Sequence, residues 1–414
     1  MGRDVVASLQ ALSQEHPKDF HHHLHGDVHG TNATILCKHG CTRRTNAIHI
    51  RTIHEFFPLK MKKVLFFSQS GVGGAERITA SISAALDRTQ FEAVFYLLEG
   101  AKTPNDLSDF IPKDYRVERI RNTNPFGVTW RFYKAIRREH PDVVFCSAQH
   151  LNRKLLFLSP QFPECKFVVR NANYLYTHTL AQKLMMALSY PLADVIITQT
   201  EEMREELIKG LSLRKKNRVL VLHNPVDTQT IDEKVRCDSM IKHEPSSVKY
   251  IAVGRFAPEK GFDLLVTAFN IVQKRQPNAK LYIVGNIKGN SEGYYSMVKD
   301  SVNRLGLQDK VVFTGYTDNP YSYENGCDCF VLSSRNEGLP NVLIEALHIG
   351  LPAAAFKCIP VIERIVEEGK TGYLAEKENP ESLAEAMIKA SALGRIKTTY
   401  KGASFKDFTK LFVN

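Results

Sequence analysis

The sequence predicts an α/β protein made of two Rossmann-like domains that face each other across a cleft. Two separate series of short apolar runs alternate with stretches of helical period, one from residue 61 to about 224 and one from 248 to 400. A polar stretch, residues 225–247, parts them as a linker, entered through His223-Asn224-Pro225-Val226-Asp227. A chain of 414 residues is long for one core and comfortable for two.

Met61-Lys62-Lys63 opens the first domain, and Val64-Leu65-Phe66-Phe67-Ser68 reads as its first strand. An unbroken apolar run of this length has no solvated face, so the strand belongs inside a parallel sheet covered on both sides. Further strands are expected at 93–97, 143–147, 166–170 and 195–199, with helices at 75–86, 128–139, 179–190 and 201–209. The second domain begins with a strand at 248–253, followed by strands at 280–284, 310–314, 328–333 and 352–356. Its helices fall at 261–274, 293–305, 341–349, 361–368 and 380–391; in the first, Phe262, Leu265, Phe269 and Val272 share one face.

Residues 1–60 differ. They hold nine of the fifteen histidines, with Cys37 and Cys41, and no sustained period. The expectation is a disordered extension. A metal-binding His/Cys tract is the other reading, but its spacing matches no zinc module.

Hydrophobic content of 43% and charged content of 24% are those of a soluble globular protein. No apolar run approaches the roughly 20 residues of a membrane span, and the start lacks the apolar core of a secretory signal. Eight scattered cysteines read as reduced thiols of a cytoplasmic enzyme. A formal net charge of +11 favours anionic ligands or an anionic membrane surface. Nucleic acid is not expected, because the charges are spread and no binding module is visible.

The chemistry-bearing residues cluster at strand ends. Cys329-Phe330-Val331-Leu332 runs into Ser334-Arg335-Asn336-Glu337-Gly338-Leu339-Pro340-Asn341, and a helix carrying Glu345 follows, with Pro340 in its first turn. Glu337 thus lies in the loop before a helix N-terminus, where free N–H groups and the dipole favour an anion. Two carboxylates beside such a loop suit a ligand that is part sugar and part phosphate. Gly254-Arg255-Phe256-Ala257-Pro258-Glu259-Lys260-Gly261 follows the first strand of the same domain. Its glycines let the backbone approach a ligand, and Arg255 and Lys260 bring two cations. In the first domain, Ser70-Gly71-Val72-Gly73-Gly74-Ala75-Glu76-Arg77 follows the first strand but is not Gly-x-Gly-x-x-Gly, so a dinucleotide loop is a weak reading. Glu76 and Arg77 are expected to cap and solvate the helix start. Ser147-Ala148-Gln149-His150 and Arg170-Asn171-Ala172-Asn173 close two further strands at the same edge. Arg170 and Asn173 suit a phosphate or hydroxyl of a second substrate.

The spacing Glu337-x7-Glu345, the Gly254-Arg255…Lys260-Gly261 loop and the Gly73-Gly74-Ala75-Glu76-Arg77 loop together resemble the retaining, GT-B-fold glycosyltransferases of family 4, also called glycosyl transferases group 1, from about Met61 to the C-terminus. The resemblance implies that Glu337 holds the donor sugar, Glu345 hydrogen-bonds the ribose, and Arg255 and Lys260 neutralise the departing diphosphate. Gly254, Gly338, Leu339, Pro340 and Asn341 would complete the donor site, and Tyr316 would lie near the base. Gly73 and Gly74 would face the cleft, with His150, Arg170 and Asn173 on the acceptor side. His150 stands three residues beyond the Ser147 position where relatives carry a histidine. Val284-Gly285-Asn286 departs from the family's usual Gly-x-Gly, which leaves the choice of nucleotide open. Residues 401–414 would form a helix crossing back onto the first domain.

The implied function is transfer of a sugar, of hexosyltransferase type, from a nucleotide-diphosphate sugar to a hydroxyl of a saccharide or lipid-linked saccharide, in assembly of a bacterial surface polysaccharide or glycolipid. A catalytically inactive nucleotide-sugar-binding partner of the same fold is the alternative. No cofactor is implied, and with no Asp-x-Asp in the chain no metal is expected. A glycosidase would not need the diphosphate-binding features, and an epimerase would need acidic and basic groups that are not found. Arg131, Lys134, Arg137 and Arg138 crowd one helix; Leu180, Leu184, Met185 and Leu188 mark a neighbour. This pairing is similar to surfaces through which relatives dock peripherally on the inner membrane; a solvated basic face is the other reading.

Overall fold

The computed structural model describes residues 32–36, 42–46, 61–99, 106–121, 124–213, 218–236, 239–241, 247–287, 291–398, 402 and 404–413. The chain divides into two compact units, Met1–Met61 and Lys62–Asn414. In the first, β1 (Asn32–Leu36) and β2 (Thr42–Asn46) pair antiparallel. The rest of the expected extension, with the histidine tract, Cys37 and Cys41, lies outside the described residues.

Lys62–Asn414 holds two parallel sheets. The first comprises β3 (Lys62–Gln69), β4 (Phe91–Glu99), β5 (Arg116–Arg121), β6 (Val143–Cys146), β7 (Lys166–Asn171), β8 (Val195–Thr198) and β9 (Val219–Val221), in the order β5-β4-β3-β6-β7-β8-β9. The second comprises β10 (Lys249–Val253), β11 (Lys280–Val284), β12 (Val311–Gly315), β13 (Cys329–Leu332), β14 (Ala353–Phe356) and β15 (Gly372–Ala375), in the order β12-β11-β10-β13-β14-β15. Both are doubly wound. In each sheet the winding reverses beside the first strand, between β3 and β6 and between β10 and β13, and such reversals open a crevice at the strands' carboxyl ends.

The first domain's helices are α1 (Gly74–Ala84), α2 (Pro125–Glu139), α3 (Gln149–Leu156), α4 (Leu180–Ser189) and α5 (Glu201–Gly210). α6 (Thr228–Val235) occupies the linker that the sequence suggests is irregular; Asp227 caps it by accepting from Thr230 N. The second domain carries α7 (Phe262–Arg275), α8 (Glu292–Arg304), α9 (Tyr321–Glu324), α10 (Asn341–Ile349), α11 (Ile362–Ile365) and α12 (Pro380–Ser391). Helices cover both faces of each sheet, which is why the central strands are apolar throughout rather than alternating. β5, β9 and β15, and the helices α3 and α9, escape the sequence reading. Arg116-Val117-Glu118-Arg119-Ile120-Arg121 carries charges because β5 is an edge strand with a single buried residue, Ile120. The five described cysteines are free and buried.

The last helix, α13 (Phe405–Val413), returns to the first domain. Phe408 and Phe412 are buried in its core, and the Phe412 ring meets Phe66 edge-on at 6.1 Å and Phe145 at 5.6 Å. Lys166 Nζ donates to the Leu411 carbonyl at 2.8 Å. The chain therefore ends by tying the second domain to the first. Phe412→Ala removes a fully buried ring and is expected to cost about 3–5 kcal/mol, seen as a lower denaturation midpoint of the first domain; an unchanged midpoint would show that this helix does not contribute to the core.

Candidate active site

On the second sheet, the loops that leave β10 and β13 lean on each other. Gly261 has φ +63°, and a Cβ there would lie 2.0 Å from the Ser333 carbonyl oxygen, so only glycine fits. Ser333 Oγ donates to the Lys260 carbonyl at 2.9 Å. The contact carries Lys260 Nζ to 2.7 Å from Glu337 Oε1, which also accepts from Ser334 Oγ at 2.6 Å. The side chains of this ion pair are mostly buried, at 22% and 11% exposure. Arg335 clamps the same two loops: its guanidinium donates to both Asp263 oxygens at 2.8 and 2.6 Å and to the Pro258 carbonyl at 2.8 Å. Burial opposes ionisation of Asp263, but the Arg335 hydrogen bonds outweigh it and hold the carboxyl below its ordinary range. The sequence gives no signal for this clamp, because its partners are 72 residues apart.

α10 starts at Asn341, with Pro340 at its cap rather than in its first turn. Leu339 is buried in the second domain's core and anchors the loop. Arg255, expected beside Lys260, instead points outward at 67% exposure and pairs with Glu259 at 2.7 Å. Gly254 N donates to the Val284 carbonyl at 2.9 Å, and a Cβ at Gly285 would lie 1.9 Å from the Gly254 oxygen, so the two strand ends pinch together. Glu345 accepts from the Tyr321 hydroxyl; burial raises its carboxyl, while the charge of Arg77 and the Tyr321 bond act the other way. Beneath it, burial and then the Glu345 charge push the Glu324 carboxyl well above its usual range.

Across the cleft, Glu76 is not a solvated cap. It is buried and accepts from Gln69 Nε2 at 3.0 Å, and a Cβ on Gly73 would lie 2.6 Å from its carboxylate; the same test at Gly74 meets nothing. Arg77 reaches over to the second domain and donates to the Tyr316 hydroxyl at 3.3 Å, and that hydroxyl donates to Asp318 at 2.6 Å. Tyr316 therefore sits in an interdomain bridge. Arg170 is 1% exposed and bonds the Asn224 amide oxygen, so it supports the linker from below instead of opening to the acceptor side. Burial without a carboxylate partner lowers it to about 10, with Glu76 opposing. Asn224 Nδ2 in turn donates to Asn341 Oδ1 at 2.7 Å, linking Arg170 to the start of α10. His150 and Asn173 line a separate pocket in the first domain with Gln149, Arg153, His178, Gln182 and Met186.

The domains close directly over the Glu337 loop. A Cβ at Gly338 would lie 2.1 Å from the Ala172 carbonyl oxygen of the first domain, and Tyr176 donates to Asn336 Oδ1 at 3.3 Å. Gly338→Ala must open this seam. We expect a loss of roughly 1–3 kcal/mol of stability and a larger radius of gyration by small-angle X-ray scattering; an unchanged scattering curve would mean that the seam tolerates a side chain.

Two family models match the chain: Glycosyltransferase Family 4 over residues 72–230 and Glycosyl transferases group 1 over residues 240–401. The N-acetylgalactosamine-N,N'-diacetylbacillosaminyl-diphospho-undecaprenol 4-alpha-N-acetylgalactosaminyltransferase of Campylobacter jejuni is 24% identical, covering 81% of this chain and 92% of its own. The amylovoran biosynthesis glycosyltransferase of Erwinia amylovora is 23% identical, covering 83% and 93%. Among solved structures, Anabaena HepE in complex with UDP and glucose superposes with a TM-score of 0.67 at 19% identity, covering 85% of this chain and 98% of that one. Two doubly wound domains, a cleft at both switch points and these matches place the chain in the glycosyl transferases group 1 family, with the GT-B fold.

Proposed function

We propose that this protein transfers a hexose from a nucleotide-diphosphate sugar to a hydroxyl of a saccharide or lipid-linked saccharide, with retention at the anomeric carbon, in bacterial surface polysaccharide or glycolipid assembly. The observation that carries the reading is the Lys260–Glu337 pair in front of α10, held at the switch point of the second sheet. An arriving diphosphate competes with Glu337 for Lys260 and lies against the N-terminus of α10, where the positive end of the helix dipole stabilises the charge that grows on the leaving group. Glu337, released from Lys260, accepts hydroxyl hydrogen bonds and orients the sugar. Arg255 joins by leaving its exposed pair with Glu259, a pair worth little in water. Glu345, with Tyr321 beside it, receives the ribose hydroxyls. Charge stabilisation then rests on these cations and the helix, without a resident metal, and Gly73 and Gly74 form the opposite wall. The HepE complex with UDP and glucose supports a nucleotide-sugar donor, and the diphospho-undecaprenol in the Campylobacter enzyme's name supports a lipid-linked acceptor.

The test is hydrolysis and binding of UDP-, GDP- and ADP-sugars by the intact chain and by Glu337→Ala and Lys260→Ala. One donor should be turned over slowly, and each variant should lose about 10²-fold or more of that rate. Donor binding unaffected by either variant, with no turnover of any donor, would leave the inactive-partner reading instead.

A peripheral membrane contact belongs to the same proposal. Among the described residues no helix is long and apolar enough to cross a membrane. Instead α4 exposes Leu180, Leu184 and Leu188 at 84%, 62% and 57%, and α2 exposes Phe126 and Trp130 beside Arg131, Lys134 and Arg137. Apolar rows flanked by cations suit an anionic lipid surface. Sedimentation with phosphatidylglycerol vesicles should carry the protein down at low salt, and Leu184→Gln with Leu188→Gln should weaken this severalfold; no sedimentation would remove the membrane from the proposal.

A further inference from the structure

Glu345, the carboxylate set under the ribose, is poorly balanced by its own surroundings. It stands on α10, partly open to the cleft. From α9, Tyr321 donates to it, and Glu324 lies beneath it, 1% exposed and with Oε2 unpartnered. Arg395 bears on Glu324 but donates instead to the carbonyls of Glu324, Asn325 and Cys327 at 2.9, 3.0 and 2.7 Å. Burial and the Glu345 charge act together on Glu324, which therefore holds its proton. α6 brings Lys234, whose Nζ donates to the Asp318 carbonyl at 3.0 Å, and Asp232. Asp232 pairs with His348 of α10 at 3.2 Å and with Lys397 at 3.4 Å. β13 and β14, which also pack on α10, add no titratable group but the buried Cys329 thiol.

The strongest compensation comes from the other domain. Burial raises the Glu345 carboxyl, and Arg77 is the first of the groups that oppose this, ahead of the Tyr321 bond and Lys234. Arg77 stands on α1. Its guanidinium lies over the Phe110 ring at 5.0 Å and donates to the Tyr316 hydroxyl at 3.3 Å. No carboxylate among the described residues pairs with it. The ring and the hydroxyl thus hold the guanidinium in place and leave its charge uncompensated.

We propose that Arg77 is a positioning residue for the donor nucleotide, reaching across the cleft to keep Glu345 a carboxylate that accepts from the ribose hydroxyls. The role rests on the reading of Glu345 as the ribose acceptor. A carboxylate offers two acceptor oxygens, whereas the protonated acid turns one of them into a donor. Because Arg77 and Glu345 belong to different domains, the charge is supplied only while the cleft is closed. Binding that needs the carboxylate is lost as the pH falls through the Glu345 midpoint. Removing Arg77 raises that midpoint, so the loss begins at higher pH.

Calorimetric binding of UDP-glucose, GDP-mannose and ADP-glucose to the full chain, across about pH 5 to 8, tests this. The phosphates of these intact donors do not titrate in that range. For the donor that binds, Arg77→Gln should shift the acid limb to higher pH, an extra loss of roughly three- to tenfold at the acid end. Arg77→Lys keeps the charge and should restore the limb. Glu345→Gln should flatten it, and Arg77→Gln should then add no further pH dependence. Glu324→Gln, an isostere of the protonated acid, should leave the limb in place. Thermal midpoints of all variants, read in parallel, separate lost binding from lost folding. A limb unmoved in Arg77→Gln, or moved equally in Arg77→Lys, would overturn the role of the charge. A limb that survives Glu345→Gln, or moves in Glu324→Gln, would place the titrating acid elsewhere and overturn it too. Any of these results with a donor still bound overturns Arg77 alone. Failure of every donor to bind the unaltered chain at any pH would overturn the donor-site reading, and the role of Arg77 with it.

Discussion

Gly261 sets the rest of the site. Its positive φ and missing side chain let the loop after β10 sit on the Ser333 carbonyl, the first residue past β13. Two strand ends that neighbour each other in the sheet thereby place Lys260 on Glu337 at 2.7 Å. Arg335 seals the same approach through Asp263 and Pro258, and its bidentate geometry fixes angle as well as distance. A cation and a carboxylate brought together with little water around them form a pair that an incoming phosphate can exchange, because the anion offers Lys260 what Glu337 offered.

The second constraint is the seam between the domains. Gly338 meets Ala172, Arg77 meets Tyr316, and Asn341 meets Asn224 over the buried Arg170. Burying an arginine with two nitrogens unpaired is costly, and the structure tolerates it where the linker crosses beneath the cleft. The helix start that follows Glu337 is thus joined by hydrogen bonds to the linker between the domains. α13 adds a second tie far from the cleft, by burying Phe408 and Phe412 in the first domain's core.

In the first domain one helix presents two unlike faces. α4 turns Gln182 and Met186 to a polar pocket and its leucines outward. Its N-terminus is held by a capping box between Thr179 and Gln182, and the same Gln182 oxygen sets the His178 tautomer. A local capping device thereby decides which imidazole nitrogen can receive a proton.

Both sheets were legible in the sequence because buried parallel strands are apolar without interruption, and that needs only local reading. So were the glycines at the strand ends and the helix start after Glu337, since backbone geometry there demands particular residue types. The edge strand β5 was not, because a strand open to solvent on one side carries the charges of a loop. Nor were the partners. Arg255 and Lys260 look equivalent in the chain, yet one pairs with Glu259 four residues on and the other with Glu337, 77 residues away. Arg170 and Asn173 close the same strand, yet one is sealed below the linker and the other lines a pocket. Spacing determined which groups could meet at the cleft. Which of them do is decided by the packing of loops from opposite ends of the sequence, where a single Cβ of 2 Å clearance selects the neighbour.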